Sequence, residues 1–552
     1  MTTEAAGRER WVCPDSALRT GGWLTTSDHK RIAIMTMVTA LVLFFGMGAL
    51  ALVMRAQLAQ PDLHIVSASV YNQLFTIHGS GMIYLVLTPF AMAFGMYLVP
   101  LQIGAPAIAA PRIAMLGFWL YLLGAVAILT GFAVLGGAAS SGWTAYVPLS
   151  DSVYSPGHGE ALWIFGTFCA ATGMICMAAT ILWTAIFKRG PTMTMLRLPI
   201  FTWSMIATVL MVLGAFPSLL AALTLLSIGR MDPSVFTQNV WNVGYQHLFW
   251  FYGHPVVYVM FFPFVGAVAE VLSTFAGRPF AGYKPTVLSL LAFAALSMSV
   301  WGHHMFTTGQ ASDGYYQLTS TLLTVPAGIE YFGMLATLIG ARLRFPVPML
   351  FALAFIPQFL IGGLTGIMVS TPALDYHFQD SYFVVAHFHY TLIGGSLFGF
   401  FAGFYFWFPK VTGAMLREGL GKLHFWLLVV GTNVTFGPMF ASGILGMPRR
   451  VATYYGVPGL GTLNLISSIG AAILGMSMIA FAFNVYVSLA FRRPSGPDPW
   501  SGHTLEWATS SPPPPLNFTP EWPFVRVTSF TPLLDRRLRA ARAEQAKIQA
   551  VP

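Results

Sequence analysis

The chain has 552 residues, of which 56% are hydrophobic and only 9% are charged. Soluble proteins carry about 25% charged residues, so this composition excludes an ordinary soluble enzyme, a coiled coil and a disordered chain. The net charge is +9, and three cysteines are too few for a disulfide framework. An excess of positive charge often indicates a nucleic-acid partner, but here the distribution of the charges gives a different explanation.

Twelve long apolar runs dominate the sequence, and a membrane-spanning helix needs about 20 such residues. In chain order the runs lie near 32–54, 74–100, 113–136, 162–187, 199–227, 239–272, 284–308, 317–341, 347–370, 384–408, 423–446 and 465–491. We therefore predict an all-α membrane bundle of twelve transmembrane helices. Its multi-pass domain, 32–491, lies between an N-terminal segment, 1–31, and a polar, proline-rich C-terminal tail, 492–552.

The basic residues fall almost entirely on one side of the predicted bundle. Twelve spans place both termini on the same side, and 24 of the 28 lysines and arginines lie in the segments on that side. The other side carries only Arg55, Arg230, Arg449 and Arg450. Since cytoplasmic segments of membrane proteins are enriched in lysine and arginine, both termini are predicted to be cytoplasmic. The positive net charge then needs no nucleic-acid partner.

Histidines inside the predicted helices are the first candidates for chemistry, because ionisable side chains are costly in a membrane. Seven of the thirteen histidines lie there: His78, His247, His254, His303, His304, His387 and His389. A single buried histidine is more often a packing residue, but seven in one bundle favour metal binding. Imidazole is a good ligand for copper, iron and zinc.

Helix geometry divides these histidines into groups. On a helix of 3.6 residues per turn, His387 and His389 point about 200° apart, so they cannot bind one metal but can serve two groups on opposite faces. His303 and His304 are about 100° apart and can approach one metal together with a third ligand from elsewhere in the chain.

His254 and Tyr258 are four residues apart, so their side chains are neighbours on one helix face. A phenol beside a metal-binding imidazole is a redox-capable arrangement. The strings around these residues closely resemble subunit I of the haem–copper oxidases: GYQHLFWFYGHPVVY (244–258), VWGHHMFTTG (300–309), VVAHFHYTL (384–392), TIHGSGM (76–82), GAPAIAAPR (104–112), GWTAYVPLS (142–150) and GMPRR (446–450). The resemblance runs in order from about residue 23 to Trp507.

The resemblance implies a copper ion and two haems, which would be of type a in mainstream members. His254, His303 and His304 match the copper ligands, and Tyr258 matches the tyrosine covalently bonded to a copper-ligating histidine. The remaining matches concern the haems: His78 and His389 as axial ligands of the low-spin haem, His387 as the ligand of the high-spin haem, Arg449 and Arg450 as the propionate-binding pair, Trp143 near the propionates, and Arg55 beside the low-spin haem.

The sequence departs from the family along the usual proton-pumping channel. Its carboxylates and asparagines are replaced by Ala107, Ala114, Met115 and Val256. One subgroup has a Tyr-Ser pair just before the HP motif, and here that pair is Tyr252-Gly253. Tyr252 either holds a water chain in place of the lost carboxylate or simply packs, and proton pumping stays open.

The second proton channel is altered as well. Glu330 replaces the family's lysine, Ala327 its threonine and Ala269 its serine, and Glu270 follows directly. A buried glutamate with a raised pKa relays protons as well as a lysine does, so Glu330 is predicted to be a relay, against the alternative of a structurally hydrogen-bonded acid. Glu270 is a weaker candidate for the same route. At the family's magnesium site Gln379 replaces the histidine and Asp380 remains, so a magnesium ion there is only a candidate.

The resemblance implies the catalytic subunit of a respiratory terminal oxidase, a cytochrome c oxidase-type oxidoreductase and translocase in a prokaryotic plasma membrane. It would reduce dioxygen to water with electrons from cytochrome c or quinol. The chain has no cysteine pair for a two-copper site, so electrons would arrive through subunit II. Subunit III, smaller subunits and membrane lipids would be the other partners.

Three other functions fit these residues less well. A nitric oxide reductase shares the architecture but usually lacks a tyrosine like Tyr258. A haem-free transporter would suit broken helices and buried polar residues, but it gives no reason for the pairing of His387 with His389. A non-catalytic haem-binding assembly subunit would require the absence of copper despite three intact ligands.

Overall fold

The computed structural model describes residues 22–236, 239–518 and 527–549. Most of the predicted N-terminal segment, residues 1–21, lies outside the described residues, as do residues 519–526 and 550–552 of the predicted tail. In the described part of the chain no β-strand forms, and the extended backbone makes only isolated bridges.

Among the described residues, twelve helices are long and apolar enough to cross a membrane, which confirms the predicted fold class. We number them α1 (His29–Gln57), α2 (Ala68–Gln102), α3 (Pro111–Ala133), α4 (His158–Phe187), α5 (Ile200–Met231), α6 (Trp241–Ala276), α7 (Tyr283–Thr308), α8 (Asp313–Leu338), α9 (Val347–Val369), α10 (Tyr382–Thr412), α11 (Glu418–Ile444) and α12 (Leu460–Ala490). A further helix, α13 (Pro532–Gln549), lies in the C-terminal tail.

Several helices begin a turn earlier than the apolar runs predict, because polar caps extend them. The side chain of Ser67 accepts a hydrogen bond from the backbone N–H of Val70, so α2 begins at residue 68 instead of 74. Ser312 accepts in the same way from Tyr315 at the start of α8. A cap satisfies a backbone N–H that the helix leaves free, and hydropathy does not detect it.

Two of the helices change their winding directly after a histidine. In α2 a π-helical stretch, Gly81–Leu87, follows His78 by three residues. In α10 a second stretch, Tyr390–Leu397, begins immediately after His389. Wider turns of this kind occur mostly at functional sites, and here they mark the two helices that carry the predicted low-spin haem ligands.

Close helix packing places small residues at contacts and leaves large apolar side chains outside. A Cβ atom added to Gly124 of α3 would collide with the carbonyl oxygen of Gly166 in α4, so only glycine allows this approach. Large apolar side chains such as Val42, Leu288 and Phe332 are exposed on the outside of the bundle. A surface of that kind is suited to lipid, in agreement with twelve membrane spans.

The first part of the C-terminal tail packs against the end of the bundle where α1 begins. Lys410 of α10 donates hydrogen bonds to the carbonyl oxygens of Pro497, Thr509 and Ser510 at 2.7–3.2 Å. Asn517 receives a hydrogen bond from Lys30 at 2.9 Å. We call residues 497–517 the tail segment. It closes the end of the bundle that the charge distribution predicts to be cytoplasmic.

Candidate metal and haem site

Three histidines from two helices converge on one point inside the bundle. His254 lies in α6, and His303 and His304 lie in the tightly wound final segment of α7, Trp301–Thr308. Their ligand nitrogens all lie within 4.8 Å of one another. Among the described residues these three, the histidine cluster, are the one group of at least three His, Cys, Asp or Glu side chains arranged to hold a metal.

The donor set of the histidine cluster fits a metal ion. Imidazole–metal bonds of about 2.0 Å at tetrahedral angles place neighbouring nitrogens roughly 3.3 Å apart. The observed separations are 3.1 Å from His254 Nδ1 to His304 Nε2 and 3.1 Å from His303 Nε2 to His304 Nε2. Nitrogen ligands of this type suit copper.

A hydrogen bond from the neighbouring helix orients one of these imidazoles. The Nδ1 atom of His303 lies 2.7 Å from Ser320 Oγ in α8, and that hydroxyl donates its own hydrogen to the carbonyl oxygen of Tyr316. Ser320 must therefore accept from His303, which leaves the lone pair of His303 Nε2 for a metal. Partners of this kind fix the tautomer of metal-binding histidines.

Tyr258 lies beside the histidine cluster, one helical turn after His254. The centroids of the two rings are 4.7 Å apart. Since Nδ1 of His254 faces His304, its Nε2 atom is left buried without a hydrogen-bond partner. On the other side of the cluster the indole of Trp250 stacks on His304 with 3.9 Å between ring centroids.

His387 faces the histidine cluster from α10. Its charge would interact with those of all three cluster histidines. Its Nδ1 atom donates towards the carbonyl oxygen of Gly362 at 3.1 Å and also lies 3.1 Å from Thr365 Oγ1. A Cβ atom on Gly366 would lie 3.1 Å from Cε1 of His387, so glycine makes room for the ring. These contacts leave Nε2 as a ligand atom, as a haem iron requires.

His78 and His389 form a second pair of candidate ligands. The Nδ1 atom of His78 donates to the carbonyl oxygen of Met47 at 2.9 Å, and that of His389 donates to Val385 at 2.8 Å. Both rings therefore keep Nε2 free with its lone pair. The ring of His389 also stacks on Phe436 with 4.2 Å between centroids. Two such imidazoles fit the axial positions of a low-spin haem.

Two adjacent arginines lie in the loop before α12. Arg449 Nε donates to Asp380 Oδ1 at 2.7 Å. Burial and the neighbouring Arg449 lower the pKa of Arg450 to about 10, so Arg450 remains charged at neutral pH. Asp380 forms an ion pair with Arg449. A magnesium ion at Asp380 stays a prediction. Two guanidinium groups with one carboxylate partner leave a positive charge for an anionic group such as a propionate.

Trp143 and Arg55 are the remaining predicted haem contacts. The ring of Trp143 lies edge-on to Trp250, with 5.7 Å between centroids. Arg55, at the end of α1, donates through Nη2 to the backbone oxygen of Asn464 at 2.8 Å. Its Nε and Nη1 atoms are buried without partners. Because buried donors are rarely left unpaired, these two atoms fit an acceptor on a bound group.

Known proteins are similar to this chain over nearly its whole length. A family model described as "Cytochrome C and Quinol oxidase polypeptide I" matches residues 31–473. The chain belongs to this family. The cytochrome c oxidase subunit 1 of Corynebacterium efficiens is 44% identical over 532 residues, covering 94% of this chain and 92% of the relative. The cytochrome c oxidase subunit 1 of Corynebacterium diphtheriae is 44% identical over 536 residues, covering 94% of each.

A solved structure described as a haem–copper terminal oxidase dimer has a TM-score of 0.66 and 18% identity, and the match covers 84% of each chain. At that identity it shows the fold alone. As a member of the family the protein is the catalytic subunit of a terminal oxidase, a multi-pass oxidoreductase. Haem and copper cofactors and partner subunits such as subunit II follow from that membership. Since the relatives are cytochrome c oxidases, the oxidase is favoured over the three other functions weighed from the sequence.

In this oxidase subunit the three predicted proton-route residues are all buried but do not lie together. The phenol oxygen of Tyr252 has no hydrogen-bond partner, and its ring stacks on Tyr84 with 6.1 Å between centroids. Glu330 Oε1 lies 3.1 Å from Ser289 Oγ in α7. Glu270 accepts a hydrogen bond from the backbone N–H of Phe201 at 3.3 Å. Each side chain is thus held by a different set of neighbours.

Sequence reasoning missed the residues that support the site from other helices. Ser320, Thr365 and Phe436 contact the candidate ligands but lie 17, 22 and 47 residues away in sequence from the histidine that each supports. Sequence reasoning also missed Glu506, although an acid directly between Leu505 and Trp507 was a usable signal. His247, to which the family resemblance gives no ligand role, accepts a hydrogen bond from Trp301 at 3.2 Å, which suits a structural role.

Proposed function

We propose that this chain reduces dioxygen to water at a centre with one haem on His387 and one copper ion on the histidine cluster. The convergence of three imidazoles opposite His387 carries the proposal, because two facing metal positions suit a four-electron reduction at one place. His78 and His389 would hold a second, low-spin haem. When bound, these groups supply electron transfer and dioxygen binding.

Tyr258 is proposed to deliver a hydrogen to dioxygen at this centre. Its ring lies 4.7 Å from that of His254 and 4.6 Å from that of Phe293, so the phenol is confined beside the histidine cluster. The unpartnered Nε2 atom of His254 supports the covalent link that the family resemblance implies between these two side chains. A confined phenol keeps partly reduced oxygen close to a hydrogen donor.

Arg55 supports a haem of type a in the low-spin position. Its two unpartnered guanidinium nitrogens need an acceptor, and the formyl oxygen of haem a provides one that haems b and o lack. For the electron donor we propose cytochrome c, in line with the names of the relatives, or quinol. The electrons would reach this chain through subunit II. Subunit III and smaller subunits would complete the complex.

We place the complex in a prokaryotic plasma membrane with both termini in the cytoplasm. The bacterial relatives and the concentration of basic residues at one end of the bundle support this orientation. Electrons would then arrive from outside and protons from the cytoplasm, so turnover charges the membrane even without pumping.

Glu330 is proposed to relay protons in place of the family's lysine. Ser289 has one hydroxyl hydrogen and two neighbours, the carbonyl oxygen of Pro326 at 2.7 Å and Glu330 Oε1 at 3.1 Å. A carbonyl can only accept, so the shorter contact uses the hydrogen of Ser289. A protonated Glu330 would donate in the second contact, whereas an ionised one would have to share the single hydrogen of Ser289 with Pro326.

Glu330→Gln is expected to lower oxygen turnover by at least about tenfold, because positioned acids and bases accelerate reactions by about 10²–10⁴-fold. The amide keeps the hydrogen bond to Ser289 but cannot release a proton. Steady-state oxygen uptake of the purified complex measures the effect, with haem and copper content determined on the same sample. Glu160→Gln, which changes another buried carboxyl, is the control and should turn over normally. Normal turnover of Glu330→Gln would show that the acid is structural.

An oxygen pulse on the purified complex in proteoliposomes tests the proposed function. Oxygen uptake together with reduction of two haems in the visible spectrum is the expected result. Acidification outside the vesicles that a protonophore abolishes would show a proton pump that uses neither usual carboxylate. It would favour Tyr252 as the residue that holds a water chain in place of the lost carboxylate. Reducible haems without oxygen uptake would overturn the proposal and favour nitric oxide as substrate.

A further inference from the structure

Two carboxyl groups are buried together where the tail segment meets the bundle. Glu270, in the last two turns of α6, is 5% exposed, and Glu506 of the tail segment is fully buried. They lie close enough for their charges to interact. We call Glu270 and Glu506 the carboxyl pair. They lie at the end of the bundle that is predicted to be cytoplasmic.

Half of the Glu506 carboxyl group lacks a partner. Its Oε1 atom accepts hydrogen bonds from Gln102 Nε2 and Trp407 Nε1, both at 3.1 Å. Its Oε2 atom is buried with no hydrogen-bond partner. Burial raises the pKa of Glu506, while hydrogen bonding with Gln102, Thr504 and Trp407 acts in the opposite direction. An ionised group would leave Oε2 desolvated and unpaired, whereas a protonated group carries its hydrogen there.

The charged neighbours of the carboxyl pair balance only one negative charge. Lys410 is the buried cation whose charge interacts with Glu506; its other acidic neighbour, Asp498, is paired with Arg537 at 3.4 Å. Ser273 lies one turn along α6 from Glu270, and its hydroxyl is 3.1 Å from His503 of the tail segment. His503 adds no charge, because burial lowers the pKa of His503 to about 3. One cation facing two buried carboxyls favours one carboxylate and one protonated acid.

Hydrogen bonds at the start of α5 join the two members of the pair. The backbone N–H of Phe201 donates to Glu270 Oε1 at 3.3 Å. The next residue, Thr202, donates to Gln102 Oε1 at 2.8 Å, and Gln102 in turn donates to Glu506. The pair is therefore one connected polar unit inside an apolar bundle end.

A row of hydroxyl groups on α7 leads from this unit towards Glu330. Tyr283 lies close enough to Glu270 for their charges to interact. The hydroxyl of Thr286 is buried without a hydrogen-bond partner, and Ser289 contacts Glu330 at 3.1 Å. These α7 residues are spaced three apart, so they lie along one side of the helix. The hydroxyl of Tyr283 donates to the carbonyl oxygen of Leu198, and that of Ser289 to the carbonyl oxygen of Pro326, so Thr286 is the unpaired member, which suits a water molecule that bridges the row.

We propose that the carboxyl pair holds one exchangeable proton and is the uptake site that supplies Glu330 along the row of α7 hydroxyls. This inference rests on the proposed function, since water formation consumes protons. In each transfer an O–H bond of the pair breaks and, after passage along the row, an O–H bond forms on the Glu330 carboxylate. The pair then takes a proton from cytoplasmic water, and no group on the route is oxidised or reduced.

The test combines Glu506→Gln and Glu270→Gln in the assembled complex with a matched control. Glu418→Gln changes a carboxyl at the same end that is half exposed and paired with Lys422 at 3.5 Å. Each pair variant is expected to lose an infrared carbonyl band of a protonated acid that shifts in heavy water. Oxygen turnover should fall by at least about tenfold, while haem and copper contents match those of the wild type. Glu418→Gln should change none of these.

A double variant tests whether the carboxyl pair and Glu330 belong to one proton route or to two. If they share a route, Glu330→Gln combined with Glu506→Gln should turn over no slower than the slower single variant, whereas independent routes multiply the losses. Wild-type turnover in Glu506→Gln would overturn the proposal. If Glu506→Gln does not assemble, Glu506→Asp is measured in its place. A carbonyl band of the protonated acid at the wild-type position in Glu506→Asp would also overturn the proposal. The infrared bands do not depend on the metals, so a chain without haem or copper would contradict the proposed function alone.

Discussion

His304→Ala is expected to remove copper from the complex and to abolish oxygen uptake while both haem spectra persist. His304 Nε2 is the central atom of the histidine cluster, 3.1 Å from both partner nitrogens, so its loss leaves two ligands that no longer enclose one ion. The ligands of the proposed haems lie on α2 and α10 and keep their own hydrogen bonds. Oxygen uptake should fall below detection.

Metal analysis and visible spectra of the same preparation measure this effect. His247→Gln is the matched control, because His247 lies in α6 near the cluster but contacts Trp301 instead of the cluster nitrogens. It should retain copper and most of the activity. A His304→Ala complex with stoichiometric copper would show that the cluster is not the copper site.

The membrane helices and the histidines could be predicted from sequence because both signals are local. Apolar runs of the required length predicted all twelve spans, and the spacing of His387 and His389 already showed that they can serve two groups on opposite faces of one helix but not one metal. The pairing of His254 with Tyr258 is equally local, since four residues make one turn of a helix. The structure places all these side chains in positions compatible with the predicted roles.

The supporting contacts could not be predicted because they depend on how distant helices pack. Ser320 and Thr365 hold histidines of other helices, and their own sequence surroundings are ordinary apolar stretches. Glu506 belongs to a tail that looked like a polar surface extension. Its burial becomes visible only when Lys410 is seen to bind three carbonyl oxygens of the tail segment.

The position of the family's usual proton-channel carboxylate is apolar in this chain. Val256 is fully buried one turn from Tyr252, whose hydroxyl has no partner, so the position of the usual carboxylate is apolar. Buried acidic groups are found instead at Glu330 and in the carboxyl pair. On the proposed route, Glu330 and the carboxyl pair replace the usual pathway with a different set of acids.

Tyr258→Phe is expected to lower oxygen turnover by about a hundredfold or more, a loss within the range for removal of a catalytic acid, with haem and copper contents unchanged. The substitution removes only the hydroxyl. The ring keeps its contacts with His254 and Phe293, at 4.7 and 4.6 Å, so the helix packing and the copper ligands should survive. Single-turnover oxygen consumption, followed with metal analysis, measures the effect.

Tyr405→Phe controls for the loss of a buried phenol. The hydroxyl of Tyr405 lies 3.1 Å from His424 Nδ1 and not at the histidine cluster, so its removal should leave turnover close to normal. Oxygen turnover of Tyr258→Phe within a few-fold of wild type would mean that the phenol supplies no hydrogen to the reaction. Since Tyr258 is the residue that separates oxygen chemistry from nitric oxide chemistry in this architecture, that outcome would require nitric oxide to be tested as the substrate of the wild-type complex.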